Sequence, residues 1–411
     1  MDKMTQRIEA NLEYLKRFTA TPGEGCTRLP FSAEAKSAVA YLKEIMLEAG
    51  LQVKEDEAGN IFGTLEGSEP HLPCVMSGSH YDSVVHGGDY DGIAGVIVAL
   101  ETARLLKQSG KKFKRNFVVA GFNDEEGMRF GTGYFGSGAM LGLRDPAYCK
   151  QFKDANGISI YEAMLSYGLD PEKVANATWP QGAINCFIET HIEQGPVLDT
   201  FGIDIGLVTG IVGIQRYIFT VHGRADHSGT TPMDMRIDAV DAASKVIAKI
   251  ADWAREKQDG TVATVGYMKV LPGGINIVAE KVEFSVDIRS MNVVHIDDIA
   301  QKIEAALDYE VKQNHGSFEK ATKLIIQPVA LSDKMLDILE GSCKAHQFSY
   351  KRLPSGAGHD SLEIGQKIPT VMIFVPSKDG RSHTPVEYTP YHYFGKAAQL
   401  AVELAEKMLN E

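Results

Sequence analysis

Residues 72–108 read LPCVMSGSHYDSVVHGGDYDGIAGVIVALETARLLKQ. The opening, 72–77, is a short apolar run of the buried-strand kind. The close, 93–108, sets Ile93, Val96, Ile97, Leu100, Ala103 and Leu105 along one side of a helix. A buried strand that feeds a helix through a glycine-rich turn is a unit of a mostly parallel, helix-covered sheet. The same alternation runs outward in both directions. Residues 33–50 have a helical period and stop at Gly50, a C-cap. Residues 116–122 and 184–192 are further buried-strand candidates. The pattern then changes. Residues 212–222 and 280–289 alternate apolar and polar, as half-exposed antiparallel strands do. Helical stretches at 236–257 and 295–314 complete an inserted α+β domain. From about 327 the first pattern returns, with a helix at 332–346 and the strand TVMIFV at 370–375. The expected fold is α/β, with a discontinuous main domain of 1–211 and 328–411 and an insertion of 212–327.

Across 411 residues, 42 Lys and Arg face 54 Asp and Glu, a net charge of −12. An acidic surface repels phosphate backbones and argues against general nucleic-acid binding, a local basic pocket apart. No apolar run approaches the roughly 18 residues of a membrane span. Met1 to Phe18 alternates charged and apolar residues and lacks the apolar core of a signal peptide, so the expected location is cytoplasmic. Cys26, Cys74, Cys149, Cys186 and Cys343 are widely spaced and odd in number, which points to reduced thiols.

The chemistry-bearing residues cluster after the strands. His80 and Asp82 stand at i and i+2, on one side of an extended chain. Asp82 either orients the His80 ring, as carboxylates do behind a metal-bound imidazole, or is a capping residue near an unrelated His. Asp91, in Gly87-Gly88-Asp89-Tyr90-Asp91-Gly92, either caps the helix starting near Ile93 or returns beside His80. Asp124, Glu125 and Glu126 follow the strand at 116–122. They are a solvated acidic loop, or three repelling acids that a divalent cation compensates. Glu125 and Glu126 point different ways, so one suits ligation and the other a general base. His191 and His383 also stand at strand ends. In an α/β sheet the carboxyl ends of the strands share one edge, where ligands bind. His80, Asp91, Glu126, His191 and His383 together suit zinc, manganese or cobalt better than magnesium or calcium. Two metals bridged by one carboxylate would use all five. In the insertion, His227, Asn276 and Arg289 read either as turn and surface residues or as substrate contacts. Arginine is well suited to a bidentate grip on a carboxylate.

The ordered set GSHYDS, GGDYDGIAGV, NDEEGMRF, HIEQGPVL, GIVGIQR, HSGTTPM, DIR, GAGHD and SHTPVE resembles the di-zinc aminoacylase/carboxypeptidase-type hydrolases. More narrowly it is similar to their N-carbamoyl-L-amino-acid hydrolase and allantoate amidohydrolase branch, over nearly the whole chain. HIEQGP matters most, because this branch supplies a His where many related peptidases supply a carboxylate. The resemblance implies two divalent metal ions. His80 and His191 hold one, Glu126 and His383 the other, and Asp91 bridges. It implies Asp82 orienting His80 and Glu125 as general base. Gln194, Gln215, His227, Asn276, Arg289 and Gly358 match substrate-contact positions, with Arg289 on the substrate carboxylate. His227 polarises the scissile carbonyl, reaching a neighbouring subunit's site. The insertion is then a lid and dimerisation domain of a homodimer, with hinges near Gly210, Gly213 and 324–329.

The expected activity is cleavage of a ureido C–N bond in an N-carbamoyl-L-amino acid, with allantoate and beta-ureidopropionate as alternative substrates. An inactive binding protein on the same fold is the alternative of a different class, and no ligand or base is missing to favour it. Three departures stand out. His86 lies inside the first motif pair, Ser228 replaces a common Ala, and no acid follows Arg289 directly.

Overall fold

The computed structural model describes residues 2–411. The chain divides into two compact units, one of Met1–Thr209 with Leu331–Glu411 and one of Gly210–Ala330. Strands β1 (Gln52–Glu55), β2 (Ile61–Leu65), β3 (Cys74–His80), β4 (Phe117–Phe122), β5 (Ile184–Ile192) and β6 (Ile205–Ile211) lead into the second unit. That unit carries β7 (Gly213–His222), β8 (Val262–Thr264), β9 (Met268–Leu271), β10 (Lys281–Ser290) and β11 (Ser317–Ile326). The return adds β12 (Val329–Ala330), β13 (Tyr350–Ser355) and β14 (Thr370–Val375).

The main sheet runs β1-β2-β4-β3-β5-β14-β6, with β13 also paired to β6. Its four central strands, β4, β3, β5 and β14, are parallel. The flanking pairs β1–β2, β2–β4 and β14–β6 are antiparallel. The central strands are covered on both faces, which explains their unbroken apolar runs. Along β4, Phe117 and Val119 enter one core, while Val118, Ala120 and Phe122 enter the other. Helices Lys3–Leu15, Ala33–Glu48, Ile93–Gln108 and Tyr391–Met408 supply the first core.

Local signals set the helix ends. Ser32 accepts from the amide of Ala35, and Gly50 follows the helix with φ 72°. The helix Ile93–Gln108 matches the sequence reading, as do β5 and β14. The strand expected at 72–77 lies instead at 74–80. Gly78 and Ser79 lie inside this ladder, and at Gly78 the Ala120 carbonyl leaves no room for a side chain. The helix Tyr391–Met408 was not foreseen, nor was β11, whose outward Glu319, Lys320 and Lys323 hide its strand character.

In the second unit the antiparallel sheet runs β11-β7-β10-β8, with β9 on β10. Helices Ala239–Arg255 and Val293–Gln313 cover one face. β10 alternates strictly: Val282, Phe284, Val286 and Ile288 face inward, and Glu283, Ser285, Asp287 and Arg289 face outward. The chain enters and leaves this unit on adjacent strands, since Val329 pairs with Ile211 and Ala330 with Gly210. Among the described residues no helix is long and apolar enough to cross a membrane. All five cysteines are buried singly.

A Cβ on Gly78 would stand 2.0 Å from the Ala120 carbonyl oxygen, in the middle of the parallel ladder. Gly78→Ala should therefore destabilise the protein by about 1–3 kcal/mol, the usual cost of overpacking. The urea midpoint of unfolding measures it.

Candidate metal centre and active site

Four parallel strands deliver the site. His80 ends β3, His191 is the penultimate residue of β5, the acidic turn 123–126 follows β4, and the loop to His383 follows β14. Asp91 lies at their meeting point, buried. Its Oδ1 is 3.1 Å from His191 Nε2 and 3.6 Å from His80 Nε2. Its Oδ2 is 3.1 Å from His383 Nε2. Glu126 Oε1 lies 3.4 Å from His383 Nε2, and Glu125 Oε2 lies 3.8 Å from His80 Nε2. The five residues read from the sequence as ligands thus converge. Asp91 is not a helix cap, because Gly92 holds that position without a side-chain bond.

The two buried imidazoles are set up as ligands. Nδ1 of His191 donates to the Ile192 carbonyl at 2.9 Å, and Nδ1 of His80 donates to the Asp82 carbonyl at 3.2 Å. Each therefore turns the lone pair of Nε2 toward Asp91. Asp91 Oδ1 and Glu126 Oε1 are buried without a hydrogen-bond donor. Orphaned carboxylate oxygens beside imidazole lone pairs form the donor set of a first-row divalent cation. Two groupings, His80 with Asp91 and His191, and Asp91 with Glu126 and His383, are compact enough to hold one ion each.

The electrostatics agree. Burial raises Asp91, but the pull of the adjacent His191, His383 and His80 rings overcomes it and holds the carboxyl well below its usual range. Burial, then the charges of Glu126, Asp360 and Asp82, push Glu125 well up, against the pull of His80. Burial and the Asp91 charge push Glu126 up to about 7. A bound divalent cation would relieve the mutual repulsion of these acids.

Asp82 is expected to orient His80 through its carboxylate, but its backbone carbonyl is the nearer partner. Its Oδ1 lies 3.5 Å from His80 Nδ1, farther than its own carbonyl. The carboxylate accepts from the amides of Glu125 and Glu126, at 3.1 and 3.3 Å. It therefore pins the acidic turn to the end of β3. Gln194 donates to Asp91 Oδ2 at 2.9 Å and sits 3.1 Å from His383 Nε2. Gly358 lies against Tyr134, leaving no room for a Cβ.

Glu387 is a site residue that the sequence reading quoted within SHTPVE without giving it a task. Its Oε1 accepts from the amides of Tyr90 and Asp91, and its Oε2 accepts from Ser382 at 2.7 Å. It joins the Asp91 turn to the His383 loop. Glu189 was also passed over. It accepts from Ser79 at 2.8 Å and from the hydroxyl and amide of Ser361, buried completely. His86 instead contacts the Glu24 carbonyl at 2.9 Å and belongs to none of the candidate metal groupings among the described residues.

Within the second unit, His227 and Asn276 are exposed neighbours: Ser228 N–H donates to the Asn276 carbonyl at 3.0 Å. His227 Nδ1 accepts from the amides of Gly229 and Thr230, at 3.0 and 3.2 Å. The neutral ring then carries its proton on Nε2, facing outward as a donor. Arg289 Nε donates to Asp287 Oδ1 at 2.7 Å, and Arg216 Nε donates to Asp287 Oδ2 at 2.5 Å. Gln215 differs from these residues. It is buried, donates to Asp297 at 3.0 Å and accepts from Tyr217.

Comparison with known proteins follows the same lines. The pattern of Peptidase family M20/M25/M40 matches residues 76–407. An N-carbamoyl-L-amino-acid amidohydrolase of Paenarthrobacter aurescens is 38% identical over 403 residues, covering 98% of each chain. An allantoate amidohydrolase of Escherichia coli (strain K12) is 35% identical over 385 residues, covering 93% of each. A crystal structure of an amidase of the hydantoinase/carbamoylase family from Burkholderia multivorans superimposes with a TM-score of 0.92 at 28% identity, covering 99% of this chain and 98% of the other.

Gly92 has φ 65°, and a Cβ there would stand 2.3 Å from His80 Nε2. Gly92→Ala should displace the imidazole and lower metal content by at least about one ion per chain, since losing one ligand from a set of three or four leaves the ion weakly held. Elemental analysis of the folded variant checks this.

Proposed function

The chain belongs to peptidase family M20/M25/M40, and on that premise we propose that it is a metal-dependent amidohydrolase of N-carbamoyl-L-amino acids. It cleaves the ureido C–N bond to give the amino acid, ammonia and carbon dioxide. The observation that carries the reading is the convergence of three imidazoles on Asp91 with Glu125 and Glu126 beside them. The substrate class follows the likeness to the Paenarthrobacter enzyme. Allantoate is the second reading, supported by the likeness to the Escherichia coli enzyme. Beta-ureidopropionate is the third.

We assign two divalent cations, zinc, manganese or cobalt, to His80 with His191 and to Glu126 with His383, with Asp91 between. Such ions polarise a carbonyl and make water more acidic at neutral pH. The remaining steps belong to the chain's own residues. Glu125 takes a proton from the attacking water and returns it to the leaving nitrogen of the amino acid. The freed carbamate loses carbon dioxide and leaves ammonia. His227 donates through Nε2–H to the oxygen on which charge develops. Arg289, held by Asp287, grips the substrate carboxylate. Gln194, Asn276 and Gly358 bound the substrate. Gln215 would have to give up its bonds to Asp297 and Tyr217 to join them.

We assign unit Gly210–Ala330 as the lid and dimerisation domain of a homodimer. Exposed apolar side chains gather near its His227 and Asn276 in sequence: Met233, Met235, Ile275 and Ile277. Large exposed apolar groups of this kind mark association surfaces.

Ammonia release by manganese-reconstituted protein tests the reading on several N-carbamoyl-L-amino acids, one D-isomer, beta-ureidopropionate and allantoate, each with a chelator control. Chelator-sensitive release from the L-carbamoyl compounds is expected. Release from allantoate alone would move the activity to the second reading, and silence across the panel would end the ureido class. Glu125→Gln should lower kcat by at least about a hundredfold with bound metal retained. Arg289→Lys should raise KM about tenfold with a smaller change in kcat.

A further inference from the structure

Tyr134 occupies left-handed backbone, φ 57° and ψ 33°, just before the helix Phe135–Met140. A bulky residue keeps such a conformation only where its surroundings fix it, and such residues cluster at functional sites. The surroundings here are explicit. The Tyr134 N–H donates to the Glu125 carbonyl at 3.0 Å, and its own carbonyl accepts from Arg144 at 3.0 Å. The next two amides, of Phe135 and Gly136, donate to Asp124 and Asn123. Gly133 and Gly136 allow that approach, since a Cβ would stand 2.4 Å from Glu125 O at one and 2.7 Å from Asn123 N at the other. The turn that carries Tyr134 is therefore zipped to the turn that carries Glu125.

The phenol is brought against Gly358, where a Cβ would meet its oxygen at 1.9 Å. Among the described residues, no hydrogen bond joins this hydroxyl to another protein group. The backbone that carries it is bonded to Glu125, whose carboxylate lies 3.8 Å from His80 Nε2. A hydroxyl both donates and accepts, so one side chain can serve both kinds of partner. A terminal carbamoyl group presents a carbonyl and an NH2 side by side, and it needs both kinds of partner.

We propose that Tyr134 is a specificity-determining residue whose hydroxyl hydrogen-bonds the terminal carbamoyl group of the substrate between Glu125 and Gly358. The inference rests on the ureido reading above and on Glu125 and Gly358 facing the substrate. A site built to pair a polar group discriminates strongly against an analogue that lacks it. The hydroxyl thus separates carbamoyl from acyl substrates of the same amino acid.

The test compares kcat/KM for an N-carbamoyl-L-amino acid with that for its N-formyl counterpart. Tyr134→Phe should lower the carbamoyl value at least tenfold and the formyl value less than threefold, with metal content and melting temperature unchanged. A purely structural role would lower both values alike. A carbamoyl-to-formyl ratio within twofold of wild type overturns the proposal. If Tyr134→Phe does not fold, Gly358→Ala decides, because its Cβ displaces the phenol and should lower the ratio in the same sense. Wild-type protein inactive on every carbamoyl compound would instead overturn the ureido reading itself, so the two failures are distinct.

Discussion

One buried carboxylate shared by three imidazoles is the constraint on which this molecule depends. Asp91 can meet His80, His191 and His383 only if β3, β5 and β14 are adjacent and parallel, with their carboxyl ends on one edge. It also requires that the turn before the helix Ile93–Gln108 fold back over β3, which Gly92 permits by having no Cβ to strike His80. The turn does not hold itself there. Glu387 is buried to take the amides of Tyr90 and Asp91, and burial with the Asp91 charge pushes its own carboxyl up to about 7. A further buried acid is thus placed beside the cluster to fix its geometry.

That arrangement conflicts with the ordinary rules of a protein interior. Asp82, Asp91, Asp124, Glu125 and Asp360 are all buried, and both oxygens of Asp124 and of Asp360 have no donor. Charges of one sign at this density raise one another's pKa values and favour neutral forms. The conflict resolves if the site holds cations, because each ion then offsets two carboxylates and takes imidazole lone pairs already aimed at it. Local violations of this kind, supported by a regular sheet, are where function is expected.

The same division governs what could be read from sequence. β5 and β14 are buried on both faces, so their apolar runs are continuous and their limits clear. β10 is buried on one face and shows strict alternation. β11 shows neither, because its side chains are largely exposed and its strand character lies in pairing with β7. The residues that converge on Asp91 could be picked out because each follows or ends a strand candidate, and those strand ends share one edge. Glu387 and Tyr134 were not, because their roles come from distant partners. Glu387 meets Tyr90 across 297 positions of sequence, and an acid or a tyrosine at such a place looks like any other until the chain has folded.

The second unit shows the same principle with a different chemistry. Asp287 and Arg216 are opposite each other in the β10–β7 ladder, and Arg289 lies two residues on, along the outward face. The Asp287 carboxylate takes Nε from both arginines. A guanidinium held through Nε keeps its plane fixed, so less freedom is lost when it meets a carboxylate than for a mobile side chain. Lysine has no second nitrogen with which to be held in this way. Arginine at 289 is therefore matched to Asp287 itself, and the alternating pattern of β10 is what places the two on the same side.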